Sequence, residues 1–349
     1  MTLIWFILIL SIIIVVHEFG HFLFARISGT HVYEFSLGMG KKIWSTKSKK
    51  YDTEFCLRLI PLGGFVQLAG EDEEFDKENK IDKKKSMNNK TGLQRFLILF
   101  AGAGFNFILA FLVLFISALF YGSVSTKPIV GSIMEDYPAK EAGLKVGDKI
   151  LKIDGKTVKT WDDVLWEVQF SDGTPMKFLI EREGETKKQI KITPIEIEDE
   201  QGNTVYKFGI GSSAIRERGL IPALKYGVNK FASIFKVMLN TVKSLFSGDV
   251  GVNDFSGPVG IYTVVDAQRE AGFESILYLI AFLSVNVGVI NLIPFPAFDG
   301  GRILFLFIEK ITKKPVPARV ENMIHSIGFF ILIALMIYVT FNDVIKLIK

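Results

Sequence analysis

From Leu3 to Ala25 the chain runs 23 residues with ionisable groups only at His17, Glu18 and His21. At 1.5 Å of rise per residue, such a run crosses a hydrocarbon core about 30 Å thick. Lipid offers no partner to backbone N–H and C=O groups, so a segment of this kind is confined to a helix. The basic leading region and small-residue cleavage site of a signal peptide are not evident, and the run reads as a span. Three more runs follow. Phe96–Tyr121 carries no charge and has small residues from Ala101 to Gly104; Ile276–Ile293 runs into Pro294 and Pro296, with a second apolar piece at Ile303–Ile308; Ile327–Phe341 is shorter. The expected fold is a polytopic α-helical membrane protein with about four transmembrane helices.

Composition agrees once it is divided along the chain. Hydrophobic residues make up 49% and charged residues 22%, so the apolar and aqueous parts must be segregated. That apolar content excludes disorder for most of the chain. Cys56 is the only cysteine, which excludes a disulfide framework. A net charge of +4 from 41 basic and 37 acidic residues gives no case for a nucleic-acid partner. Lysine and arginine cluster after span one (Arg26, Lys41, Lys42), before span two (Lys83, Lys84, Lys85, Lys90, Arg95) and after span three (Lys310, Lys313, Lys314, Arg319). By the positive-inside rule both termini face outward, although Lys346 and Lys349 weaken the asymmetry.

His17-Glu18-Phe19-Gly20-His21 is an H-E-x-x-H motif. Positions i and i+4 share a helix face, so both imidazoles can bind one metal ion while Glu18 deprotonates a water. Zinc is the default ion for such a site. Two satisfied core histidines are the bland alternative. The motif, however, begins nine residues before Arg26, about 14 Å along the helix. Ionisable groups at that depth in lipid are functional by default.

Zinc sites normally take three protein ligands. His31 and His325 lie at span ends, whereas Asp299 follows the broken segment Asn291–Gly301, where backbone at membrane depth needs protein or water around it. Alone, Asp299 also reads as a helix cap ahead of Gly300-Gly301; paired with the histidines it is the preferred third ligand.

Outside the spans, Pro128–Ile133 and Lys177–Glu181 are strand-like and alternate with turns at Asp154-Gly155 and Arg182–Gly184. In Pro222–Ser247, polar residues recur at Lys225, Asn229, Ser233, Lys236, Asn240, Lys243 and Ser247, a stripe that fits an amphipathic helix on the outer leaflet better than a fifth span. A packed peripheral helix is the alternative.

The His17–His21 motif together with Asn291–Gly301 resembles the site-2 protease family of intramembrane zinc metalloproteases, most nearly its bacterial branch of regulated intramembrane proteolysis. Leu62–Val66, Ser256–Ile261 and the Asn106 region are similar to stretches of that family, and the resemblance covers nearly the whole chain. One departure is Ala103-Gly104, where the family usually has Gly-Pro. The resemblance implies one Zn2+ per chain on His17, His21 and Asp299, with Glu18 as general base and acid. It implies that Asn291 holds the substrate backbone or the developing oxyanion. It also implies that Phe55–Gly70 is a re-entrant β-hairpin turning near Gly63-Gly64, with Gly63, Gly64 and Phe65 along an edge for the unwound substrate; an ordinary interfacial hairpin is the alternative. Ala139–Val158 resembles the PDZ domains of proteases, giving one extracytoplasmic PDZ domain between spans two and three, either a peptide-binding module or a rigid cap.

The expected organisation is therefore 1–121, first membrane half; 122–200, PDZ domain; 201–275, linker and surface helix; 276–349, second membrane half. Both termini and the PDZ domain are expected on the extracytoplasmic side, and the active site opens toward the cytoplasm. The expected activity is zinc-dependent cleavage of transmembrane segments of single-pass, already trimmed proteins within the lipid bilayer, such as anti-sigma factors or signal-peptide remnants. A non-catalytic PDZ scaffold or metal-binding membrane protein is the alternative, and an intact Glu18 argues against it.

Overall fold

The computed structural model describes every residue except Asp72, Lys80, 185–186, 199–203, Ala214, 249–256, Pro315 and Lys349. Ser256 of the Ser256–Ile261 stretch, the expected boundary at residue 200 and the terminal Lys349 thus lie outside the described residues. In chain order the elements begin α1 (Thr2–Ile27), β1 (Val32–Lys47), β2 (Glu54–Leu68), α2 (Glu73–Glu78) and α3 (Gly92–Tyr121). Next come β3 (Ser123–Val124), β4 (Val130–Ile133), α4 (Pro138–Glu141), β5 (Lys149–Ile153), β6 (Lys156–Thr157) and α5 (Trp161–Gln169). β7 (Met176–Glu181), β8 (Lys188–Ile192), β9 (Ile195–Glu198), β10 (Thr204–Lys207), β11 (Ile210–Ser212) and β12 (Arg216–Glu217) lead to α6 (Leu220–Ser247). The chain ends with α7 (Pro258–Ala271), α8 (Phe273–Leu292), α9 (Asp299–Thr312) and α10 (Ala318–Ile348).

Four of these helices, α1, α3, α8 and α10, are long and apolar enough to cross a membrane. Their bounds enclose the four runs expected from the sequence, except that α8 stops one residue short, at Leu292. Ala103-Gly104, in place of a Gly-Pro pair, leaves α3 unbroken over 30 residues. Without a proline ring no carbonyl is displaced and the helix hydrogen bonds continue.

The chain forms two compact units, Met1–Ala110 with Phe255–Phe341, and Phe111–Asp254 with Asn342–Lys349. In the first, α1 packs against β1, β2, α7 and α8. Its buried stripe of Phe6, Ile9, Ile13, His17, Gly20 and His21 follows the three-and-four spacing of one helix face. The two histidines thus continue the face that apolar residues bury.

β1 and β2 are more than a hairpin. Trp44–Lys47 pairs with Glu54–Leu57, while Phe35–Leu37 has partners on two sides, Phe55–Leu57 and Gly64–Val66. The chain bends back after Pro61 at Gly63, whose φ of +91° lies in the left-handed region. Gly64–Leu68 then forms the last row of the sheet, with no further strand paired to it among the described residues. The expectation began this sheet at Phe55; Val32–Lys47 belongs to it as well. α7, absent from the sequence reading, packs on α1, and Thr2 Oγ1 donates to Asp266 Oδ1.

In the second unit, β5 is flanked by β6 and β7, and β8 closes a four-stranded antiparallel sheet. Phe178, Ile150, Ile153, Ile180, Ile192, Val130 and Val164 fill its core. Asp154 and Gly155, both at positive φ, make the β5–β6 turn. α5 opens with a capping box between Thr160 and Asp163. It rests on α6: Lys230 Nζ pairs with Asp162 at 2.7 Å, Lys236 Nζ with Asp163 at 2.6 Å, and Thr160 meets Ser233. Part of the polar stripe of α6 therefore faces α5, while Leu220, Ile221, Leu224 and Val228 stay exposed.

Candidate metal centre

One helical turn separates His17 from His21, which brings their Nε2 atoms to 3.1 Å. Asp299, first residue of α9, places Oδ2 3.2 Å from each of those nitrogens. Three donors thus form a nearly equilateral triangle with edges of 3.1, 3.2 and 3.2 Å. Zinc bound at about 2.0 Å to three corners of a tetrahedron needs edges of about 3.3 Å. Asp299 Oδ2 is buried and has no hydrogen-bond partner. A buried carboxylate oxygen without a donor is costly unless a cation meets it. Donor chemistry, spacing and the orphaned oxygen all fit Zn2+.

The second layer comes from α3. His21 Nδ1 lies 2.9 Å from the carbonyl oxygen of Ile98, so Nδ1–H donates there and Nε2 is left to face the triangle. Four residues on, Gly102 lies against both rings; a Cβ there would sit 2.7 Å from Cε1 of each histidine. Four further on, the fully buried Asn106 brings its amide to His17 Nδ1. One face of α3 thus lines the imidazoles with a carbonyl, a gap and an amide.

Asp299 is delivered by the break that follows α8. Pro294 and Pro296 cannot donate ladder hydrogen bonds. The non-glycine Ala297 has φ +79°, and its N–H donates to His325 Nδ1 at 3.0 Å. His325, which the sequence places at a span end, thus holds the turn just before Asp299. Arg302, one turn into α9, pairs with Glu71 Oε1, and Glu71 Oε2 accepts the Leu68 N–H at 3.0 Å. This strap ties the end of β2 to the helix that carries Asp299.

Glu18 follows His17 directly, and a Cβ on Gly64 would lie 3.6 Å from Glu18 Cγ and 2.8 Å from the Ser36 carbonyl oxygen. The bend at Gly63 and the outer row at Gly64 therefore lie beside the motif, and the Phe65 ring is stacked 5.0 Å from the Arg58 guanidinium. Asn291 sits half-buried in the last turn of α8 and makes no hydrogen bond to the triangle among the described residues. Asn106, Ile98, Gly102 and His325 went unread as site residues. For the first three the signals were a spacing of four within an apolar helix, the small residues around Gly102 and the resemblance of the Asn106 region, none of which names a partner; for His325 there was none.

The protein-family model described as peptidase family M50 matches residues 5–335. A protein of Fusobacterium nucleatum named as a zinc metalloprotease is 37% identical over 99% of both chains. One of Clostridium perfringens, also named as a zinc metalloprotease, is 36% identical over 99% of both. The regulator of sigma-W protease RasP of Bacillus subtilis is 32% identical, again over 99% of both. Among solved structures, the PDZ domain of an SdrC-like protein of Listeria monocytogenes covers 25% of this chain and 88% of its own, at 26% identity and a TM-score of 0.22.

Proposed function

The chain belongs to peptidase family M50 and is a multi-pass membrane zinc metalloprotease; on that premise we propose that it cleaves transmembrane segments of single-pass proteins. The observation that carries this reading is the donor triangle of His17, His21 and Asp299, with 3.1–3.2 Å edges, two of its corners lying beside Glu18 on a helix long enough to span the bilayer. A protease that places its catalytic groups on a spanning helix reaches bonds that soluble proteases cannot.

The residues divide the work as follows. His17 Nε2, His21 Nε2 and Asp299 Oδ2 would hold the ion, with the Ile98 carbonyl fixing the His21 ring. When bound, zinc supplies Lewis acidity toward the scissile carbonyl and the attacking water. The Glu18 carboxylate takes a proton from that water and hands it to the leaving amide nitrogen as the C–N bond breaks. Asn291, on the last turn of α8, would donate its side-chain amide to the substrate backbone or the developing oxyanion.

A helical substrate must unwind before attack, and its freed N–H and C=O groups then need partners in lipid. The outer row of β2 from Gly64 onward, next to Glu18, offers such partners by strand addition, with Gly63 supplying the bend and Phe65 the first side chain of the row. We read residues 122–200 as an extracytoplasmic PDZ module, with both termini on the same side and the active site opening toward the cytoplasm, on the strength of the Lys and Arg pattern. The exposed apolar residues of α6 suit a membrane surface, and its ion pairs to α5 would hold the module to that helix. The name of the Bacillus subtilis relative points to sigma-factor regulation. Trimmed anti-sigma factors and signal-peptide remnants are accordingly the substrates we propose.

The test is reconstitution of the purified protein in vesicles with a single-pass substrate whose external domain has been removed. Mass spectrometry should locate the cut within the apolar segment, and a zinc chelator should abolish it. Cleavage confined to residues outside that segment would overturn the intramembrane reading.

A further inference from the structure

The His17 ring poses a question of protonation that its own helix cannot answer. Nε2 is the atom that faces His21 Nε2 at 3.1 Å and Asp299 Oδ2 at 3.2 Å, so it must be free of its proton to hold a metal. The proton then sits on Nδ1, and a buried Nδ1–H needs an acceptor. His21 has one in the Ile98 carbonyl. For His17 the hydrogen-bonding group at Nδ1 is the side-chain amide of Asn106, at 3.3 Å.

Asn106 is 0% exposed, and its Oδ1 is buried without any hydrogen-bond partner while Nδ2 faces the ring. With Nδ2 donating to Nδ1, the ring proton stays on Nε2 and the triangle cannot accept a cation. A half-turn about Cβ–Cγ exchanges the two amide atoms. Oδ1 then accepts from Nδ1–H, its orphaned state ends, and the Nε2 lone pair points into the triangle. One rotation thus gives the buried oxygen a donor, moves Nδ2 to where Oδ1 lay, and selects the ligating tautomer. A primary amide is suited to this, since it offers a donor and an acceptor from one planar group.

We propose that Asn106 is the positioning residue of the metal centre: its amide oxygen, seated on His17 Nδ1, fixes the tautomer in which His17 binds zinc. The neighbouring geometry supports this. Gly102, one turn earlier, leaves the gap into which both rings fit, so the rings rest on α3 and the amide meets the far edge of one of them. The proposal rests on His17 being a ligand, and its test separates the two claims.

Zinc affinity of the full-length protein is measured by competition with a chelating dye in wild type, Asn106→Leu, Asn106→Asp and His17→Ala. Folding is checked by circular dichroism. The leucine keeps the bulk and removes the acceptor, and zinc should bind roughly 10- to 100-fold more weakly, the usual cost of losing an outer partner. The aspartate keeps an oxygen at Nδ1 and should stay within about threefold of wild type, as carboxylate–histidine–zinc pairs do. If the leucine does not fold, Asn106→Ala takes its place with the same expectation. Wild-type affinity in the folded leucine or alanine variant overturns the proposal, as does an equal loss in the aspartate variant. Unchanged affinity in His17→Ala would instead sink the ligand assignment beneath it.

Discussion

At His17 and His21 the chemistry depends on which ring nitrogen carries the proton, and both answers come from α3, far away in sequence. The same helix sets the space. A methyl group on Gly102 would lie 2.7 Å from Cε1 of each ring and closer still to His21 Nε2. Gly102→Ala is therefore expected to push the imidazoles off the triangle, with overpacking costing about 1–3 kcal/mol. Metal analysis should find zinc depleted in a protein that still folds; full zinc content would show that the rings have room to move. At this scale the sequence was legible where spacing carries meaning. H-E-x-x-H needs only the helical repeat to put two imidazoles on one face. Asp299 was legible because prolines at membrane depth demand a reason. Asn106 and His325 were not, because their partners lie 89 and 28 residues away and no local period encodes such a meeting.

Among the elements, the β1–β2 sheet shows most clearly what patterning conceals. Val32–Lys47 went unread as a strand, and its charged residues Glu34 and Lys42 face Glu54 and Arg58 of β2. Their charges are matched to one another: Arg58 Nη2 meets Glu34 Oε1 at 2.6 Å, and Lys42 Nζ meets Glu54 Oε2 at 2.7 Å. A strand whose polar residues are paired across the sheet loses the alternation on which sequence reading relies. The sheet is also strapped to α9 by Glu71 and Arg302. Replacing Arg302 by Gln removes the charge that holds Glu71, and Glu71 in turn caps the Leu68 N–H. Amide exchange across Phe65–Leu68 should quicken and substrate cleavage should fall, with zinc still bound. Unchanged exchange in that variant would mean that the strap does not order the outer row of β2.

Across the whole molecule the composition divides: a helix apolar enough to cross a membrane carries the two histidines of the donor triangle, and the second unit encloses an apolar core of its own. That core contains a buried ion pair whose titration can be followed. Burial pushes the Asp148 carboxyl up, but the bidentate Arg182 fork and the Lys145 N–H outweigh it and hold it below its ordinary 3.8. A carboxylate lowered on folding contributes stability above its unfolded value, and that stability is lost as pH falls through the lower folded value. Exchange protection in 128–192 should thus persist to about pH 4 and weaken below it. Asp148→Asn should cost about 3–5 kcal/mol at neutral pH, because it strands the Arg182 charge. Equal protection in wild type and variant at neutral pH would show that the pair adds nothing.

The central claim is that a spanning helix carries a working protease centre with Glu18 as its proton carrier. It is tested most directly by measuring zinc content and substrate cleavage on the same vesicle preparation of wild type and Glu18→Gln. The account predicts equal zinc in both and cleavage at least about 100-fold slower in the variant, the lower end of what a general base contributes. Zinc-loaded Glu18→Gln cutting the membrane segment at the wild-type rate would contradict it.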